Sequence, residues 1–224
     1  GLGRTLITSH DIWNNHPEKV FAVTRMWAES NPNTHVAVVM ALLEACAWLD
    51  EPGNRHQACE MLSSGRYVNA PVDVLEKSLT GTLLFSSGEQ PRAAPDYNVF
   101  HRNAANFPWR SHAIWFLSQM MRWGQAGENI EPDVIARAVY KPDVFRFAAG
   151  ALGYSAPETD YKQEGLHKSG WSLKSGERTL AMGADLFMDG HRFDAADVKK
   201  YLAGFSITRT TGSAGDSGDF EEAI

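Results

Sequence analysis

The residues best suited to chemistry lie in His16-Pro17-Glu18-Lys19, at the head of the run Val20–Pro32. Pro17 suits the first position of a helix, Val20, Val23 and Trp27 recur at helical spacing, and Asn31-Pro32 stops the run. That reading puts Lys19 in a first turn, where unpaired backbone N–H groups and the positive end of the helix dipole point outward. A lysine there opposes the dipole by a few tenths of a kcal/mol, roughly, so a helix start that carries one suggests an anion site. The competing reading is a solvated surface lysine. His16 beside it is a hydrogen-bond partner or a supporting group of the same site. A second candidate is Trp109-Arg110-Ser111-His112, where a guanidinium fork and an imidazole at a helix start can line an anion cleft or a partner surface. Its structural alternative makes Phe107 and Trp109 core anchors, pairs Arg110 with a carboxylate and leaves Ser111 as a cap.

Other chemistries find no support. None of the 8 histidines forms the i, i+4 pair with a glutamate that marks a zinc protease, and no Cys-x-x-Cys occurs, so no metal is expected. There is no Gly-x-Ser-x-Gly elbow and no Gly-x-x-x-x-Gly-Lys phosphate loop, and Cys46 falls inside an apolar helical run where a thiol is inert. The chain reads as a non-enzyme without a cofactor. A formal charge of −6 and a pI near 5.7 argue against nucleic acid, which needs a basic face. No apolar run reaches about 18 residues, so no insertion into a membrane is expected. The 2 cysteines, Cys46 and Cys59, read as buried thiols, with a disulfide between them in an oxidising compartment as the alternative.

The elements that must position these residues are mainly helices. Pro-led runs begin at Pro52, Pro71, Pro132 and Pro142, and Asn33 is placed to cap a helix through Asp50 that is apolar nearly all round, the pattern of a buried helix. Ser111 is placed to cap a helix through Trp123, ended by Gly124, and Phe145, Ala148, Ala149 and Leu152 form one stripe before Gly153. Strands are expected at Arg4–Ser9 and Tyr97–Phe100, with a hairpin over Leu186–Phe193 turning at Asp189-Gly190. Phe85–Pro95 and Ser155–Gly183 read as loops, and Asp194 as the cap of a last helix over Val198–Phe205. The Gly/Ser/Asp/Glu-rich tail Gly212–Ile224 reads as disordered at its start.

Three stretches, Asp11–Pro32, Asn106–Gln125 and Leu186–Ile207, resemble the C-terminal portion of nitrate-binding proteins in the nitrate/bicarbonate/sulfonate family of bacterial ABC-importer binding proteins. The likeness implies an α/β, type II periplasmic-binding-protein-like fold, of which the portion present is mainly helical with few short strands. It assigns residues 1–207 to the C-terminal part of a two-lobed anion clamp whose N-terminal lobe is missing, and 208–224 to a flexible tail. In that family the lysine of the His-Pro-Glu-Lys segment helps to hold nitrate, and the bicarbonate branch carries an acidic residue there. Lys19 matches the lysine, so the resemblance implies nitrate or nitrite, delivered to ABC permease subunits from the periplasm or the outer face of the inner membrane. The aromatic, amide and histidine ligands that the family supplies earlier in its sequence are absent, so Lys19 alone is not a nitrate site. Alternatives are a cytoplasmic nitrate sensor that signals to a regulator protein, the regulatory extension of a transporter ATPase, and a helical interaction module that binds no anion.

Overall fold

The computed structural model describes residues 4–206, apart from 87 and 128. Its helices are α1 (Ser9–Ile12), α2 (Arg25–Ser30), α3 (Pro32–Asp50), α4 (Arg55–Ser63), α5 (Val72–Leu79), α6 (Arg110–Arg122), α7 (Pro132–Val139), α8 (Pro142–Ala151) and α9 (Val198–Ala203). Two antiparallel pairs accompany them, β1 (Thr82–Leu83) with β2 (Arg92–Ala93), and β3 (Trp171–Ser175) with β4 (Arg178–Met182). Helices α3, α7 and α8 each start on a proline, whose fixed φ and missing N–H suit the first turn.

Two apolar clusters organise these elements. One gathers Trp13, Ile114, Ala136, Phe187, Phe193 and Tyr201, which joins α6 to α7 and α9. The other gathers Leu43, Phe107, Trp109, Phe145, Ala148, Ala149 and Met182, which joins α3 to α8 and to the β3–β4 hairpin. Phe107 and Trp109 are core anchors, as the structural alternative for that motif expects.

Several elements differ from the sequence reading, each for a local reason. Arg4–Ser9 forms no strand. Thr8 instead closes a capping box with Asp11 over α1, and each side chain bonds the other's backbone N–H. Tyr97–Phe100 forms no strand either, because the Asp50 carboxylate draws in the N–H groups of Phe100, His101 and Arg102. The 155–183 loop contains the β3–β4 hairpin, in which Trp171, Leu173, Leu180 and Met182 turn one face towards the second cluster and Gly176 (φ 59°) makes the turn. Leu186–Phe193 turns at Asp189-Gly190, but its arms do not pair with each other: Phe187 bridges Trp13 and Phe193 bridges Glu164. Asp197, not Asp194, caps α9, while Asp194 accepts bonds from Ala196 and Gln163.

Helix α3 is not buried all round. Leu43 is its one fully buried residue, and Leu42 and Trp48 lie exposed. At 19 residues and a mean hydropathy of 1.2, α3 is also long and apolar enough, by length and composition, to cross a membrane, contrary to the sequence reading. Both cysteines are free; Cys59 is buried and Cys46 half-buried. The tail expected over 208–224 lies outside the described residues.

Candidate functional site

The helix expected at Pro17 does not form. Residues 17–23 run without helix or strand, and α2 begins only at Arg25, capped by the Thr24 hydroxyl, which accepts from Trp27 N at 3.2 Å. Val20, Phe21 and Val23 favour extended backbone, and Thr24 offers the first side-chain oxygen that can cap a turn. Lys19 therefore stands on an irregular arm, outside the first turn of any helix. Its side chain is 93% exposed, and its ammonium pairs with the adjacent Glu18 at 3.3 Å. Glu18 also accepts from Ser9 Oγ at 3.3 Å.

The arm leaves a firmly held root. Trp13 is wholly buried; its N–H donates to Ser9 O at 2.9 Å, and Asn14 N donates to Leu186 O at 3.1 Å. His16 N returns to Trp13 O at 3.0 Å, which closes a tight turn. The His16 ring lies edge-on to Trp13, Trp115 and Phe116, and burial pushes its imidazole below the ordinary histidine range.

His112 enters the same aromatic cluster from α6, with its ring edge-on to Trp13 at 5.4 Å between centroids. Its Nε2 lies 2.8 Å from Glu164 Oε1, the oxygen that also receives the Lys162 ammonium. All three side chains are buried. Burial lowers the His112 pKa, although the Glu164 bond pulls the other way. Burial works to raise the Glu164 pKa, but Lys162 and His112 more than offset it, so the carboxylate titrates below its usual range.

Ser111 is not the cap of α6. Trp109 holds that position, and the buried Ser111 hydroxyl, inside the first turn, accepts from Lys162 N at 3.2 Å. Arg110 points elsewhere: Asp160 takes its guanidinium, and Arg146 holds the second oxygen of that carboxylate at 2.5 Å. The structure thus brings His16 and His112 together around Trp13, and keeps Lys19 and Arg110 apart from them. Among the described residues, no three His, Cys, Asp or Glu side chains gather as a metal cluster would require. Sequence reasoning missed Trp13, Lys162 and Glu164. The available signal was the i, i+2 spacing of Lys162 and Glu164, which puts both on one face of an extended segment.

The sequence model of the NMT1-like family matches residues 1–63. The nitrate/nitrite binding protein NrtA of Nostoc sp. is 29% identical over 209 residues, which cover 93% of this chain and 43% of that protein. The bicarbonate transport ATP-binding protein CmpC of Synechococcus elongatus is 34% identical over 154 residues, 69% of this chain and 22% of that protein. The crystal structure of the periplasmic nitrate-binding protein NrtA from Synechocystis superimposes with a TM-score of 0.74 at 26% identity, over 90% of this chain and 48% of that one. The fold is therefore that of part of a periplasmic nitrate-binding protein, and the chain spans less than half the length of each of these relatives.

Proposed function

We propose that this chain is the C-terminal part of a two-lobed clamp that binds nitrate or nitrite and passes it to an ABC permease, with Lys19 as the cation facing the anion. The observation that carries the reading is the likeness to nitrate-binding proteins along nearly the whole chain, in sequence and in fold together. The position of Lys19 supports it. The ammonium is exposed on a short arm, and among the described residues the carboxylate paired with it is its exposed neighbour Glu18. An exposed pair of this kind is worth only about 0–1 kcal/mol, so an arriving anion displaces it at little cost.

Nitrate is planar, singly charged and weakly basic, so several oriented donors must hold it. A cation about 4 Å away contributes on the order of 4 kcal/mol where water is partly excluded, and about 1 kcal/mol in open solvent. The exposed arm therefore needs a second surface to close over it. A ready seat for that surface is the apolar set Val20, Phe21 and Met26, all exposed on the arm and the helix that follows it. Such a set is the mark of a face that receives another body. The site would lie on the periplasmic side, where the protein holds and releases its anion and transforms nothing.

A second reading is favoured by one observation. The likeness to an ATP-binding transport protein named for bicarbonate extends over 69% of this chain, which supports reading the segment as the regulatory extension of a transporter ATPase.

The deciding experiment is calorimetric titration of nitrate, nitrite and bicarbonate into this chain mixed with the complementary portion of a relative. Lys19→Glu is run in parallel. Nitrate heat that falls at least about tenfold in affinity on substitution supports the site. Nitrate affinity unchanged by Lys19→Glu removes Lys19 from it. Preferential bicarbonate binding by the unaltered chain overturns the choice of anion.

A further inference from the structure

Between His16 and Thr24 no backbone–backbone hydrogen bond ties the arm to another described residue; side chains hold it at Glu18, by Ser9 Oγ, and at Phe21, against the His35 ring, and its backbone leaves the core at its root. That root is the turn from Trp13 to His16, and a buried group of ionisable side chains is packed against it. We propose that His112, Glu164 and Lys162 form a positioning unit that acts through Trp13 to fix the root of the Lys19 arm. This inference rests on the reading of that arm as the anion-bearing element.

Three observations carry it. First, the unit has no net charge when His112 is neutral, because the Lys162 ammonium and the Glu164 carboxylate balance and the imidazole bonds the same carboxylate oxygen. Buried ionic groups are weak contributors to stability, since packed apolar side chains do as well or better. What such a group can supply is geometric definition, because misplacing the ammonium or the carboxylate leaves a buried charge unpaired.

Second, each member is pinned by the backbone around it. Glu164 and Phe193 exchange both N–H···O bonds at 3.0 Å, and Lys162 N reaches Ser111 Oγ. His112 sits in the first turn of α6, and the Lys162 ammonium lies 5.5 Å from the centre of the Trp109 ring.

Third, the route to the arm is short. The His112 ring meets the Trp13 ring edge-on, Trp13 meets His16 in the same way at 5.7 Å, and three residues beyond His16 stands Lys19. Phe187 stacks on Trp13 at 4.8 Å, a second contact that holds the indole in place.

The test is amide hydrogen exchange and ¹⁵N–¹H NMR on the whole chain, comparing the unaltered protein with His112→Leu, Glu164→Gln and His112→Gln. Exchange at Trp13, Asn14 and His16 is expected to accelerate about tenfold in His112→Leu and Glu164→Gln relative to the amides of α8, with a shift of the Lys19 amide signal. His112→Gln keeps a side-chain N–H for Glu164 and is expected to restore both. The result that overturns the proposal is uniform acceleration of α6, α8 and the Trp13 turn, the signature of a group that merely holds the fold, or no change at the turn.

Should the variants fail to fold, the unaltered protein supplies the answer. The groups facing His112 are Glu164, Lys162 and His16. As pH falls, the Trp13 indole and Lys19 amide signals are expected to shift with the midpoint of His112 protonation. Midpoints that differ overturn the proposal. None of these readouts uses nitrate, so an absence of nitrate heat defeats the anion reading and leaves the positioning result intact.

Discussion

Asp50→Ala is expected to remove about 3 kcal/mol of stability. Asp50 ends α3, where a negative charge opposes the helix dipole, so its local effect on the helix is unfavourable. Its value lies in what the carboxylate collects: N–H groups of Phe100 at 2.9 Å, His101 at 2.7 Å and Arg102 at 2.6 Å, with Arg55 Nη2 at 3.5 Å. Hydrogen bonds to a charged acceptor contribute about 1.5–3 kcal/mol each, but the three N–H groups are successive, can turn to water together, and do not sum. The alanine variant also leaves the buried Arg55 without its counter-charge, a change that typically costs about 3–5 kcal/mol. Arg55 keeps the carbonyls of Leu49, Leu79 and Asn98, which places the loss near the low end of that range. Urea unfolding is the assay, with m expected to be unchanged and the midpoint lowered by about 1 M or more. In the double variant with Arg55→Met, part of the loss should return, because the unpaired charge is gone. A loss below about 1 kcal/mol, or one that Arg55→Met deepens additively, refutes this account of the 98–102 loop.

Two further outcomes are expected. Gly165 has φ 83°, and a Cβ there would drive into the backbone carbonyl of His191, so Gly165→Ala should cost more than about 2 kcal/mol in thermal denaturation. A melting temperature equal to that of the unaltered chain would show that the 164–193 bridge yields freely. Stability should also fall on acidification. His112 and His16 both hold pKa values below the ordinary 6.5, so the folded chain binds fewer protons than the unfolded one between those values. Stability is therefore lost as pH drops below about 6.5, and Glu164, lowered from 4.5, extends the loss at more acid pH. His56 is raised by its bond to Glu76 and works in the opposite sense, but it is exposed and solvent-screened. A melting temperature that does not decline between pH 7 and pH 5 would contradict this sign.

What the sequence determined by itself was local. The prolines at 132 and 142 predicted where helices begin because Pro restricts its own φ whatever surrounds it, whereas Pro32, read as a stop, opens α3 in place of the expected cap Asn33. The stripe Phe145, Ala148, Ala149 and Leu152 predicted the face α8 buries, since helical period alone brings those residues together. The resemblance carried the fold, because motif order along a chain survives where contacts cannot be read. Competition between distant partners was left to the tertiary structure. Lys19 lost its helix because Thr24 caps a turn that starts later, and periodicity cannot say which of two starts wins. Ser111 gave its hydroxyl to Lys162, 51 residues away, and did not cap α6. The arms of Leu186–Phe193 found Trp13 and Glu164, not each other, although the turn between them was legible. The buried union of His112 with Glu164 and Lys162 exists only because the 162–164 segment meets the start of α6 beside Trp13, and no spacing along the chain encodes that meeting.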